Sequence, residues 1–311
     1  MPNHHSLRLP HETFQRAAAF LQTTRPLEQA QFTFHFEQSP AAAVAEQLAA
    51  FQNADGGFTG LEADFGAPVS SVLSTCHALR ILQDIGAGSD HPLVLPALRY
   101  LVVSYDQALN AWPIIPPHDN SHPHAPWWHY SENFAEQFGR FQDNPRPDAL
   151  GCLYAFPIPA TEKLRTQVTR AISSRLNAAS EDVEMHGLVC YVRLHRAPGL
   201  PDELRALLAR RLPGWIDRGV ERDPAKWTGY GLRPLDVAPD AASPWHEQLA
   251  PDIARNLDFL IAHQAPDGSW MPHWSWGDAF PQAWEASRRK WQAVLTLGAL
   301  RTLRSYGRLE T

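Results

Sequence analysis

Phe51-Gln52-Asn53-Ala54-Asp55-Gly56-Gly57-Phe58 recurs near the other end of the chain as His263-Gln264-Ala265-Pro266-Asp267-Gly268-Ser269-Trp270. Gln, Asp, Gly and an aromatic residue fall in the same register in both copies. Each copy follows one apolar helical pattern and precedes a loop that leads to another. Asp and Gly favour a tight turn, Gln can bond backbone groups freed at a helix end, and the aromatic ring can pack beneath the turn. The unit therefore reads as structural, with Gln52 and Gln264 expected at equivalent turns. Weaker copies are readable at Ala111-Trp112-Pro113 and Pro213-Gly214-Trp215.

Outward from these turns, helical periodicity dominates. Apolar residues recur at three- and four-residue steps over 14–21, 41–51, 72–85, 93–105, 161–176, 183–194, 201–216, 251–263 and 284–306. Strand-like alternation is nearly absent. Most of the 27 Pro residues lie between these segments, and several predicted starts carry Pro or a capping residue, as at Pro201-Asp202 and Pro251-Asp252. No linker or shift in composition divides the chain, so the expectation is one all-α domain over residues 1–311.

The Gln-x-x-Asp-Gly-x-aromatic unit resembles the repeat of the prenyltransferase and squalene-cyclase superfamily. That resemblance implies an α/α toroid (barrel), of which about five or six helix pairs would fit this length, closed around a central cavity. It is clear over roughly the first hundred and the last sixty residues. The superfamily's known chemistry does not carry over with it. The Asp-x-Asp-Asp acid pattern of the cyclase branch is missing, and Glu62-Ala63-Asp64 is a poor approach to it. Asp148 stands four residues before Cys152, not two as in the zinc pair of the protein prenyltransferases. The Asp-Asp-x-x-Asp signature for metal-bound diphosphate is also missing, so function has to be argued from the site.

Composition narrows the class. With 311 residues, 44% of them hydrophobic, the chain can build a sizeable core. A net charge of −6 with no basic cluster argues against a nucleic-acid partner. The longest apolar run, Leu93 to Val103, is too short for a membrane span. The start, Met1 to Pro10, does not read as a secretion signal. Cys76, Cys152 and Cys190 are an odd, scattered set that suits reduced thiols, so a cytoplasmic setting is expected. No cofactor is implied, and the oligomeric state is not readable.

Three segments carry candidate chemistry. His118 to Tyr130 holds four His beside Trp127 and Trp128, among prolines that stiffen the backbone. His124 is the candidate acid or base, and Trp127, Trp128 and His129 are candidate substrate contacts. The alternative is a lid with solvated imidazoles. His122 and His124 alternate as a metal clamp would, but lack an assured third ligand, so no metal site is assigned. The turn Gly60 to Phe65 presents Glu62 and Asp64, whose mutual repulsion in one pocket would make one a usable acid. The alternative is a cap for a helix starting near Pro68. After the second repeat come Trp270, His273, Trp274, Trp276, Asp278, Trp284, Glu285 and Trp291. Here Trp276 and Trp284 read as a substrate wall and Asp278 as an acid, against a reading as ordinary core.

Lesser candidates lie between these segments. Asp148, in the first turn of the helix that carries Cys152, could point inward as an acid. Tyr230, in Trp227 to Gly231, could contact substrate. Asp182, His186 and Cys190 at four-residue spacing would form one helical stripe, with His186 as base and Cys190 as a weak nucleophile. The leading expectation is an enzyme for a small, largely apolar substrate, isoprenoids among the candidates, using acid–base or carbocation chemistry in the cavity. A glycan-processing lyase or hydrolase and a non-catalytic ligand-binding protein are the alternatives. The His124 loop, the Glu62/Asp64 turn and the Trp276/Asp278 wall are expected to meet at one end of the cavity.

Overall fold

The computed structural model describes residues 7–178 and 182–310. Helix takes 58% of the chain, and among the described residues extended structure is confined to isolated bridges. In chain order the α-helices are α1 (His11–Leu21), α2 (Pro26–Glu37), α3 (Ala41–Ala49), α4 (Val72–Asp84), α5 (Val94–Val103), α6 (Phe134–Gln137), α7 (Arg146–Ala155), α8 (Glu162–Ala178), α9 (Met185–Arg196), α10 (Asp202–Gly219), α11 (Pro234–Val237), α12 (His246–Ala262) and α13 (Pro281–Ser305). They divide into two compact units. One comprises the described residues of Met1–Val44 and Val220–Thr311, the other Ala45–Gly219.

In the second unit α7 packs on α4, α8 and α9, and α10 packs on α8 and α9. Leu150, Leu153, Val168, Ile172, Leu188, Leu194, Leu208 and Leu212 are fully or almost fully buried there, which is the driving force for the assembly. In the first unit α1 and α2 pack on α13, and α11 on α12.

The repeated turn has one geometry in both units. Gln52 Nε2 donates to Gly56 O (2.9 Å) and to Leu93 O at the start of α5 (3.0 Å). Gln264 Nε2 donates to Gly268 O (2.9 Å) and to Thr13 O in α1 (3.0 Å). Asp55 Oδ1 accepts from Gly57 N, and Asp267 Oδ1 from Ser269 N, each at 3.0 Å. The amides of Phe58 and Trp270 each donate to a threonine hydroxyl at 3.0 Å, Thr75 on α4 and Thr296 on α13. Gly56 and Gly268 sit at φ +87° and +89°. A Cβ there would meet Pro96 O at 2.5 Å or the Arg16 carbonyl carbon at 2.4 Å, so glycine is required on both counts.

The same pairings give α1 a place in the pattern: it stands to α13 as α5 stands to α4. Beside it, Leu9 pairs with Leu309, through Leu9 N donating to Arg308 O (2.7 Å) and Glu310 N donating to Leu9 O (3.0 Å).

The weaker copy at Ala111-Trp112-Pro113 shares the geometry. Asn110, two residues before the aromatic as Gly56 and Gly268 are, is left-handed at φ +52°. Trp112 Nε1 donates to Leu101 O (2.6 Å), as Trp270 Nε1 does to Leu260 O (2.8 Å). Pro213-Gly214-Trp215 is different: it lies inside α10 and makes no turn. One further expectation is corrected: α12 starts at His246, with Pro251 inside it. α2 lies outside the periodic segments; its Phe32, Phe34 and Phe36 alternate in sequence, while Phe32 stacks on Phe36 (5.1 Å) and both rings meet Phe14.

Candidate active site: a histidine loop beside a two-carboxylate turn

The Glu62/Asp64 turn and the histidine loop, both in the unit Ala45–Gly219, are joined through their backbones. Ala125 N donates to Asp64 O and Gly66 N to Pro123 O, both at 2.9 Å, and Phe65 pairs with His124. Neither carboxylate caps the next helix. That role belongs to Ser71, whose Oγ accepts from Ser74 N (3.1 Å) at the start of α4. Glu62 Oε1 instead accepts from Asp64 N (3.3 Å), which stiffens the turn. Asp64 and His124 are each 3% exposed.

Hydrogen bonds in the loop fix the imidazole tautomers. Tyr130 N donates to Asn120 Oδ1 (2.8 Å), so the Asn120 amide nitrogen is the donor to Tyr130 O (2.9 Å) and to His129 Nε2 (3.4 Å). His129 then carries its proton on Nδ1, 3.3 Å from His124 Nε2. His124 carries its own on Nδ1, which donates to His122 O at 2.6 Å. The result is a directed chain from Asn120 through His129 to His124.

His118 stands beside this chain without joining it. Its Nδ1 donates to Pro116 O (3.2 Å), leaving the lone pair on Nε2, which is buried and has no hydrogen-bond partner among the described residues. Phe65 packs edge-on against the ring at 4.8 Å, with His124 at 5.6 Å and Tyr130 at 5.7 Å. Burial and the neighbouring imidazoles hold His118 below the usual imidazole range. Trp128 is buried, stacks on Phe138 at 5.4 Å, and leaves its Nε1 without a hydrogen-bond partner among the described residues. Trp127 is 40% exposed and faces solvent.

Asp148 lies in the same unit as a buried ionic anchor. Its Oδ2 accepts from Arg80 and from Arg193 Nη1 (3.4 Å), tying α7 to α4 and α9. The Asp182-His186-Cys190 stripe is corrected. Asp182 precedes α9 and pairs with Arg218, while His186 Nδ1 meets Glu184 at 2.6 Å. Cys190 donates to Asn144 Oδ1 (3.5 Å), and burial pushes its thiol far above the usual range, away from nucleophilic use.

Tyr230, Trp276, Asp278 and Trp284 belong to the other unit. Trp276 is buried and meets the half-buried Trp284 at 5.7 Å. A second string runs Tyr230–His273 (5.8 Å), His273–Trp274 (5.0 Å) and Trp274–Trp291 (5.1 Å). Tyr230 is 63% exposed. Asp278 is exposed and Glu285 pairs with Arg288 (2.7 Å), so neither is a buried acid.

His118 and Asn120 are the residues whose role sequence reasoning missed. Both stand in the quoted loop, but nothing local distinguishes an imidazole with an idle lone pair from its bonded neighbours. Among the described residues, no group of three or more His, Cys, Asp or Glu could hold a metal ion, and no helix is long and apolar enough to cross a membrane. No protein-family model and no curated protein sequence matches the chain.

Proposed function

We propose that the chain is an enzyme of the α/α-toroid kind that acts by acid–base chemistry on a small, largely apolar substrate, with isoprenoids as the first class to try. The observation that carries this reading is the buried, unpartnered Nε2 of His118 among Phe65, Tyr130 and His124. A polar atom buried without a partner costs free energy, and such costs concentrate at functional sites. The toroid itself rests on the repeated turn.

His118 is neutral at pH 7 and so ready to take a proton at Nε2. Its Nδ1–H bond to Pro116 O keeps the ring oriented while the charge forms. Because burial disfavours that charge, the protonated ring is a stronger acid than an ordinary imidazolium and returns the proton readily. This suits abstraction at one substrate atom and delivery at another. Asp64 and Glu62 stand on the turn bonded to this loop, the His129–His124 chain holds the loop's shape beside His118 without bonding to it, and Trp127 and Trp128 pack the substrate.

The test uses farnesol as an isoprenoid probe and a xylan hexasaccharide as a glycan probe, with tryptophan fluorescence for binding and mass spectrometry for products. Conversion of farnesol that His118→Gln abolishes without a change in melting temperature is the expected result. Its acid limb should lie below the usual imidazole range, because activity needs neutral His118 and falls as pH drops through its lowered pKa. Binding without conversion supports the non-catalytic reading. Conversion of the hexasaccharide supports the glycan reading, which the exposed Tyr230–His273–Trp274 string favours as a stacking platform.

A further inference from the structure

We propose that a cleft on α8, separate from the histidine loop, binds a phosphorylated small molecule. The cleft holds about 880 Å³ and is lined by Asn110, Glu162, Lys163, Thr166, Gln167 and Arg170, with Pro159 and Ala171 as its apolar part. The cleft is open to solvent on one side, so a ligand seated there would keep one face in water and be held by the polar rim.

Lys163, Thr166, Gln167 and Arg170 fall at steps of three and four residues along α8, so they share one face of the helix. Lys163 and Arg170 make no ion pair among the described residues. They stand two turns apart, about 10 Å along the axis, within reach of a common anion above Thr166. A tetrahedral phosphate offers three oxygens, enough for the ammonium, the hydroxyl and the guanidinium together. A planar carboxylate offers two.

The floor of the cleft is polar and organised. Tyr105 OH donates to Asn110 Oδ1 (2.5 Å), and Gln167 Nε2 lies 3.0 Å from Gln107 Oε1 and 3.5 Å from Asn110 Oδ1. Behind Asn110 sits Arg146, 2% exposed, whose guanidinium donates to the carbonyls of Gln142 (3.0 Å) and Asn110 (3.2 Å). Asp143, itself paired with Arg175 (2.9 Å), is the carboxylate that acts on this buried cation, so the positive charge offered to a ligand is that of Lys163 and Arg170. Glu162 is the acidic member of the lining and opposes them. A strong anion that meets both rim cations outweighs that single repulsion.

The experiment is calorimetric titration of the full chain, at low ionic strength, with glucose 6-phosphate, glucose and glucuronate. Saturable binding of glucose 6-phosphate alone is expected. Lys163→Ala and Arg170→Ala should each weaken it about tenfold or more, the loss of one charge-assisted hydrogen bond. Glu162→Gln should tighten it. All three positions are exposed, and unchanged melting temperatures will verify that the variants fold. No binding of glucose 6-phosphate, equal binding of glucose, binding that ignores both cation variants, or glucuronate bound as tightly would each overturn the proposal. Because none of these residues belongs to the histidine loop, the result stands apart from that of the farnesol test.

Discussion

The two Asp-Gly turns build one frame by different means at one corner. In the second copy, Ser269 Oγ donates to Asp267 Oδ1 (2.7 Å) and accepts from Gln292 Nε2 (3.1 Å). The first copy has Gly57 at the position of Ser269, and the hydroxyl comes instead from Ser70, which donates to Asp55 Oδ1 (2.7 Å) and accepts from Asn53 Nδ2 (3.0 Å). A Cβ on Gly57 would meet Ser70 Cβ at 2.6 Å and the Tyr100 ring at 2.7 Å. The carboxylate thus needs a hydroxyl donor, and the fold supplies it from within the turn or from across it. The copies differ again in what they carry. From the aromatic residue to the threonine that accepts from its amide is 17 residues in the first copy and 26 in the second. The shorter stretch holds the Glu62/Asp64 turn; the longer one holds the tryptophan wall.

The largest effect that would break this parallel is loss of an aromatic. Trp270→Ala should cost about 4 to 5 kcal/mol and Phe58→Ala about 3 to 4, the excess for Trp270 reflecting its indole bond to Leu260 O. Urea unfolding followed by circular dichroism measures both. A cost near zero for either would remove that residue from the shared frame.

Next come the glycines. Gly56→Ala and Gly268→Ala should each cost about 3 kcal/mol, from left-handed strain and contact with backbone atoms together. Asn110→Gly, at the corresponding position of the third turn, should stay within about 1 kcal/mol of the parent, since Asn tolerates that conformation. A tolerated Gly268→Ala would show that α1 can move away from the turn.

The glutamines should follow at about 2 kcal/mol each, because Gln52→Ala and Gln264→Ala each remove two hydrogen bonds, one within the turn and one to the neighbouring helix. Hydrogen exchange sharpens this one: Gln52→Ala should speed exchange at the start of α5, and Gln264→Ala in the first turns of α1.

The smallest effect decides whether the two hydroxyls are equivalent. Ser70→Ala and Ser269→Ala should each cost about 1 kcal/mol. Gly57→Ser in the Ser70→Gly background should recover part of the loss by moving the hydroxyl into the turn, whereas Gly57→Ser alone should destabilise. Recovery by neither route would mean that the two corners only look alike.

How much of this was readable in advance follows from the range of the contacts. The turns were readable because Gln, Asp, Gly and the aromatic act within seven residues of one another. α2 was not, because Phe32, Phe34 and Phe36 follow a strand-like spacing, and the helix depends on Phe14 from another element. The role of Ser70 was hidden because its partner lies 15 residues away. Asp182 and His186 were misread because each finds another partner, Arg218 and Glu184, that a helical wheel does not show. At the site, the residue types of the histidine loop and the carboxylate turn were legible, and so was their common neighbourhood. The idle lone pair of His118 was not, since it depends on which neighbours fail to reach it.

The pairing of Leu9 with Leu309 has a topological consequence. α1 already fills, beside α13, the position that α5 fills beside α4, so the order of helices along the chain and their order in packing differ by a rotation of the sequence. A circular permutant that joins the two ends through a short linker and opens the exposed loop at Pro198-Gly199 would make α1 the direct successor of α13, and each of the two Asp-Gly turns would then be followed in sequence by the helix its glutamine grips.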